Sequence, residues 1–291
     1  MKGIILAGGH GTRLYPLTRY ISKQLLPIYD KPMIYYPLSV LMQSDIKEIL
    51  IITNPEFINI YKDLLGDGSH LGINIVYKIQ LEPKGIAEAF ILGENFIGFD
   101  NVCLILGDNL FFGNTINELL LKSLENIDNN LSTIVGYEVS DPERFGVVEF
   151  DENKNVVGIE EKPKQPKSNF AVTGLYFYTN DVISYAKSLE PSQRGELEIT
   201  DLNNVYINNK KMVIEIMDSS TFKWLDSGTF SALHESSDFI MKKQKSSNSQ
   251  IALLDEIAFL KGFIDIIQLK DNLKNLSSDL QDYLLERYLR S

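Results

Sequence analysis

A single cysteine, Cys103, occurs in 291 residues, so no internal disulfide can form and a cysteine-built metal centre is disfavoured. That scarcity predicts a reducing, cytoplasmic compartment. Only three histidines are present, His10, His70 and His234, too far apart for the HExxH spacing of a zinc hydrolase. No stretch approaches the roughly 18 apolar residues of a membrane span. The apolar run after Met1-Lys2-Gly3 covers only Ile4 to Ala7, too short for a signal peptide, so no membrane association is expected. Basic residues are also in deficit: 28 Lys and Arg stand against 39 Asp and Glu, a net charge of −11. A nucleic-acid partner is therefore not expected, because such binding needs a basic face that neutralises phosphates. A small anionic ligand is still allowed, since a pocket sets its own local charge with a few placed cations.

What is present is enough apolar residue, 44%, to bury a core. In the first half, short β-branched runs alternate with longer amphipathic stretches. The runs are GIILA (3–7), EILIIT (48–53), INIVYKI (73–79), NVCLIL (101–106) and STIVGYEV (132–139). Helices are predicted near 33–44, 55–65, 85–97 and 114–126. Continuous apolar runs mean strands buried on both faces, and their alternation with helices means a parallel sheet. The fold class expected is α/β, a Rossmann-like, mainly parallel sheet flanked by helices. Ligands of such sheets sit at the carboxyl ends of the strands.

The second half differs. FGVVEFDENKNVVGIEEKP (145–163) reads as a hairpin turning at Asp-Glu-Asn-Lys-Asn. VTGLYFY (172–178) is a further strand, followed by helices near 180–189 and 197–208, a strand at 212–217 and a helix over about 230–243. KKQKSSNSQ (242–250) reads as an exposed linker, and the remaining segments as helices. The expected organisation is a 1–241 unit, with a first part over about 1–140 and a smaller β part over about 141–228. A helical extension, 242–291, follows.

Two segments carry obvious chemistry. LAGGHGTRLYPLT (6–18) follows the first strand; Gly8, Gly9 and Gly11 let the backbone turn its N–H groups onto an anion. Thr12 adds a hydroxyl, and Arg13 a fork of donors suited to phosphate. The last glycine of the dinucleotide fingerprint is missing, as is the GK[ST] of a Walker loop. Taken alone, the loop also fits a tight turn with a surface arginine. SKQLLPIYDKPMIYYPL (22–38) places Lys23 and Lys31 in an apolar loop, where a lysine meets a phosphate or is merely solvated.

Together these segments resemble the nucleotidylyltransferases that activate sugar 1-phosphates, in particular those using dTTP and glucose 1-phosphate. The resemblance continues through QxxPxGIAEAF (80–90), LILGDNLFFG (104–113), GVVEFD (146–151), EEKPKQPKSNFAVTGLYFY (160–178), RGELEITDLN (194–203) and WLDSGT (224–229), nearly the whole chain. It implies a reaction in which dTTP and glucose 1-phosphate give dTDP-glucose and pyrophosphate with Mg²⁺, the first step toward dTDP-deoxyhexoses such as dTDP-rhamnose. It also implies a homotetramer with a regulatory nucleotide site between subunits. A sister activity with UTP, CTP or another sugar phosphate, and a non-catalytic paralogue, are the alternatives; the second is opposed by the presence of Arg13, Lys162, Asp108 and Asp226.

Asp108 and Asp226 each follow a strand, where an aspartate often caps a helix or turns the chain. As a pair in matching strings they suit Mg²⁺, a hard ion that takes one or two carboxylates and phosphate oxygens. By resemblance, Arg13 and Lys23 face the triphosphate, Glu161 binds sugar hydroxyls and Lys162 the sugar phosphate. Gly146 and Val172 contact the sugar through backbone groups, and Asn109 hydrogen-bonds it. An EEK run is otherwise an ordinary charged strand end. Gln80 offers a donor and an acceptor to the imide edge of thymine or uracil, and Gly85 leaves room for the base. The family pattern QPxPxGLAQA is broken at Leu81, which loosens the loop, and at Glu88, expected to matter little because it lies inside the helix. His10 reads as a spacer, since an ionised sugar phosphate needs no general base.

Overall fold

The computed structural model describes residues 1–153 and 155–289. Its strands are, in chain order, β1 (Lys2–Ala7), the two-residue pair β2 (Pro27–Ile28) and β3 (Lys31–Pro32), β4 (Glu48–Thr53), β5 (Asn74–Ile79), β6 (Val102–Leu106), β7 (Asn109–Gly113), β8 (Ser132–Glu138), β9 (Gly146–Phe150), β10 (Val156–Glu161), β11 (Phe170–Tyr178), β12 (Met212–Met217) and β13 (Phe222–Asp226). The helices are α1 (Tyr35–Gln43), α2 (Ile58–Leu65), α3 (Glu88–Leu92), α4 (Glu94–Ile97), α5 (Ile116–Asp128), α6 (Val182–Ser188), α7 (Ile199–Asn208), α8 (Phe230–Ser247), α9 (Leu254–Leu260), α10 (Ile266–Asn272) and α11 (Ser278–Leu284).

β6, β1, β4 and β5 lie side by side and parallel, as their uninterrupted apolar runs require. Residues along them alternate between two cores. Ile5, Ile49, Ile51, Cys103 and Ile105 face one side, covered by α1, α2, α5 and the C-terminal helices. Ile4, Leu50, Ile52, Val102 and Leu104 face the other, under α3, α4, α6 and α7. β1 sits between β4 and β6: the chain steps from β1 to β4 and β5 on one side, then crosses back to β6 on the other. That is a switch point, and the crevice it opens lies at the carboxyl ends of the strands. Gly8 follows β1, Asn54 follows β4, Gln80 follows β5 and Asp108 lies two residues past β6.

Beyond β6 the sheet is mixed. β11 runs antiparallel to both β6 and β8, while β12 joins β8 in parallel. β9 and β10 form the expected antiparallel hairpin, with an irregularity between Val156 and Gly158; Lys154 of its turn lies outside the described residues. Three expectations are corrected. The helix predicted at 85–97 is two short ones, α3 and α4, meeting at Gly93. The exposed linker predicted at 242–250 is helical through Ser247, because α8 is capped at Thr229 and its polar residues form a solvated face. On the inner face of α8, Gln244 is buried and accepts from Lys31 at 3.4 Å. NLFFG, not foreseen as a strand, pairs with FKWLD, foreseen only as a strand end at Asp226, in a separate antiparallel ribbon, β7 with β13. Among the described residues, no helix is long and apolar enough to cross a membrane.

Candidate active site

The β7–β13 ribbon assembles the acidic centre. Its register sets Asp226 opposite Asn109, and the Ser227 N–H donates to the Asp108 carbonyl at 3.3 Å. Two carboxylates far apart in sequence thus share one end of a cleft of about 680 Å³. Their environments push them apart. Burial raises the Asp108 carboxyl, but the Lys23 ammonium and hydrogen bonds from Lys23 and Asn109 outweigh it and hold it below the usual carboxylate range. Asp226 is raised, by burial first and by the charge of Asp108 second, against the opposing pull of Lys23, Arg13 and Arg144. Two carboxylates that resist carrying full charge together are what a divalent cation relieves. The donor set fits a hard cation completed by phosphate oxygens. No cluster of three or more metal-ligating side chains exists among the described residues.

Lys23 does not stand free for a phosphate. It is buried and ion-paired with Asp108, so its first task is to keep that carboxylate ionised. Lys31 is also committed, to Asp30 at 2.7 Å and to Gln250 at 3.1 Å. Arg13 is exposed at the rim above Asp226. A Cβ on Gly228 would stand 3.0 Å from its Nη2, so glycine there makes room for the guanidinium. Asn109 is less available to a sugar than expected. Its Oδ1 accepts from the Gly174 N–H at 3.0 Å and from Trp224 Nε1 at 2.6 Å, and its Nδ2 donates to Asp108 at 2.9 Å. One N–H remains for a ligand, so the side chain chiefly braces Asp108.

The residues expected to bind the sugar line the same cleft. Gly146, Glu161, Lys162 and Val172 line it together. Glu161 accepts from Thr200 Oγ1 at 2.6 Å and pairs with Lys162 at 3.1 Å and Arg194 at 3.2 Å. A Cβ on Gly146 would come within 3.4 Å of Glu161 Oε2, so the glycine keeps that carboxylate open. Lys162 adopts φ 46°, a left-handed conformation uncommon for a lysine, which aims a half-exposed ammonium at the cleft rim.

Of the residues expected to hold the nucleotide, Gly8, Gly9, Gly11 and Thr12 form the glycine loop, Gln80 packs against it and Gly85 against Leu197; none of them is among the residues lining that cleft. Gly9 (φ 92°) and Gly11 (φ 57°) supply left-handed turns. A Cβ on Gly8 would collide with Gln80 Oε1 at 2.3 Å, so loop and glutamine are built against each other. Asn54 clasps the loop, accepting from the Gly9 N–H at 3.2 Å and donating to the Gly9 carbonyl at 3.4 Å. At Gly85 the missing side chain is explained by Leu197, whose carbonyl would lie 2.3 Å from a Cβ, rather than by room for a base. Glu88 is not a bystander: its Oε2 accepts from Gln80 Nε2 at 2.7 Å and from the Lys84 N–H at 3.2 Å.

Several site residues were not foreseen. Arg144 reaches Asp226 at 3.6 Å, and Arg194 grips Glu198 at 2.7 Å and Glu161 at 3.2 Å, both within the cleft wall. Asn54 directly follows a parallel strand, which is the signal that would have found it.

Comparison with known proteins places these features in context. Residues 2–243 match the family model described as Nucleotidyl transferase. A glucose-1-phosphate thymidylyltransferase of Neisseria meningitidis is 52% identical over 290 residues, covering 100% of both chains. One from Mycobacterium tuberculosis is 48% identical over 287 residues, 98% of each. A solved structure from Bacillus anthracis, described as a glucose-1-phosphate thymidylyltransferase in complex with a sucrose, superposes with a TM-score of 0.75 at 43% identity, covering 82% of this chain and 94% of that one.

Proposed function

The chain belongs to the nucleotidyl transferase family, and on that premise we propose that it transfers a thymidylyl group from dTTP to glucose 1-phosphate, releasing pyrophosphate and forming dTDP-glucose. The observation that carries the reading is the cleft itself. Its wall brings together a carboxylate pair under Arg13 and a second carboxylate with cationic neighbours, Glu161 with Lys162 and Arg194. The first group suits a metal-bound triphosphate and the second a sugar phosphate, and one cleft holds both.

The already ionised phosphate of the sugar attacks the α-phosphorus in line with the departing pyrophosphate, so the protein has little covalent work to do. Lys162 and Arg144 orient the attacking phosphate, while Glu161 receives sugar hydroxyls. Gly146 and Val172 border the same ring, and Asn109 offers its remaining N–H. Arg13 and the loop N–H groups of Gly8 to Thr12 hold the triphosphate, with Arg13 meeting charge on the leaving group. Lys23 keeps Asp108 ionised. Asp108 and Asp226 would hold Mg²⁺, which when bound neutralises charge on the phosphate oxygens. Gln80 reads the base beside Gly85.

Further parts of the proposal are the homotetramer and the entry into deoxyhexose synthesis. The division of labour between a 1–241 unit and a 242–291 extension is supported by a family match that ends at residue 243. The decisive assay is pyrophosphate release from dTTP plus glucose 1-phosphate, with UTP in parallel and each substrate omitted in turn. Release is expected only with both substrates and fastest with dTTP. A preference for UTP would instead make the chain a sister enzyme, a reading favoured by the imide edge that uracil and thymine share. Asn54→Ala, which removes the clasp on Gly9, is expected to raise the KM for dTTP about tenfold, as losing a pair of ordinary hydrogen bonds does. The KM for glucose 1-phosphate should stay unchanged in the same steady-state measurements.

A further inference from the structure

Gln80 directly follows β5 and is nearly fully buried, with its carboxamide against Gly8. Its Nε2 donates to Glu88 Oε2 at 2.7 Å. The same oxygen takes the Lys84 backbone N–H at 3.2 Å, so it is fixed by main chain as well as by its place in the first turn of α3. A carboxylate only accepts hydrogen bonds. The Gln80 amide therefore has one permitted orientation, with Nε2 turned toward Glu88; an oxygen in that place would face another oxygen. Among the described residues no donor is bonded to Oε1, which leaves it and the second Nε2 hydrogen for a ligand.

We propose that Glu88 is the positioning residue that makes Gln80 selective for an imide-bearing pyrimidine over cytosine. The inference rests on the reading that Gln80 faces the base. Thymine and uracil present a carbonyl oxygen at position 4 and an N–H at position 3. Cytosine presents an amino group and a bare ring nitrogen at the same two places. A carboxamide whose orientation is locked complements one of these edges and opposes the other. Rotating it by half a turn exchanges its donor and acceptor, and with them its preferred base. Where the sugar and phosphates fix the ring, selectivity therefore depends on whatever prevents that rotation. Glu88 prevents it without touching the base.

The test is the ratio of kcat/KM for dTTP to that for dCTP, with glucose 1-phosphate as cosubstrate. This ratio does not depend on the active fraction of a preparation, so partial misfolding of a variant cannot mimic the result. Glu88→Met keeps length and helix propensity but offers no acceptor. It is expected to lower the ratio by about tenfold or more, the value of one well-made hydrogen bond, through slower use of dTTP and faster use of dCTP. Glu88→Gln retains an oxygen for the Lys84 and Gln80 N–H groups and should recover most of the ratio. An equal loss with both nucleotides in Glu88→Met would overturn the proposal, reducing Glu88 to support for the loop. So would a Glu88→Gln variant as relaxed as Glu88→Met. Gln80→Met separates the two levels of the argument. If it leaves the ratio at the parent value, Gln80 does not read the base and the underlying assignment fails. If it collapses the ratio while Glu88→Met does not, that assignment stands and the role given to Glu88 falls.

Discussion

Asp108→Asn and Asp226→Asn are expected to cost similar amounts of turnover and to move stability in opposite directions. Each removes half of the acidic pair, and losing such preorganised charge stabilisation lowers kcat by about 100- to 1,000-fold. Stability divides them because the two carboxyls are perturbed with opposite sign. Asp226 is raised by burial and by the charge of Asp108, so the folded state binds its proton more tightly than the unfolded chain does. Its penalty develops as pH rises past the ordinary carboxylate value and is complete above the folded one. An asparagine carries no such charge, and Asp226→Asn should melt a few degrees higher than the parent near pH 7 in the absence of metal.

Asp108 is held low despite its burial, chiefly by the ammonium of Lys23. Its contribution is present above the ordinary carboxylate value and is lost as pH falls through the lowered folded one. Asp108→Asn also strands Lys23, whose side chain is only 8% exposed. The cost should be on the order of 2–3 kcal/mol, below that of a fully enclosed pair because the partner carboxylate is partly solvated. Thermal unfolding of the three proteins without metal checks both signs, and equal destabilisation by the two variants would refute the assignment of the pair. The acid limb of the rate profile follows the same logic. Asp226 must ionise to serve, so the limb should lie above the usual value of about 4 and move downward as Mg²⁺ is raised.

Arg13→Ala should lower kcat by about 100- to 1,000-fold with a much smaller change in the KM for dTTP. The guanidinium stands at the rim over Asp226, in space kept open by Gly228, and in the proposed reaction it would meet the charge that grows as pyrophosphate departs. Arg13→Lys should rescue little, since a point charge cannot reproduce the planar fork. Because the side chain is exposed, melting should change by less than about 0.5 kcal/mol. A defect confined to KM would make Arg13 a binder of ground-state triphosphate alone. Steady-state kinetics on the variants decide between the two.

The parallel half of the sheet was legible because GIILA, EILIIT and NVCLIL are apolar without interruption, which only strands covered on both faces tolerate. Gly8 and Asp108 were found for the same reason, each standing just past the carboxyl end of such a strand. The β7–β13 ribbon was not legible. Five-residue segments near glycines look like loops, and their register is a long-range pairing that no local period encodes. Arg144 and Arg194 sit in polar loops that read as solvated, and only the fold turns them into the cleft. Helix spacing placed Glu88 within α3, but could not show that the loop before the helix folds back to bring Gln80 within reach. The polar end of α8 was mistaken for a linker because composition alone does not reveal that Gln244 faces inward.

The ribbon also fixes when the molecule becomes competent. Asn109 and Asp226 are partners in one ladder although 226 − 109 = 117 positions separate them. The first 108 residues are enough to write the glycine loop and the Lys23–Asp108 pair. The second carboxylate arrives only when β13 has been made and has found β7, a closure that comes late in synthesis and is entropically dear. A partly made chain therefore lacks the second carboxylate, and the acid pair exists only once β13 has joined β7.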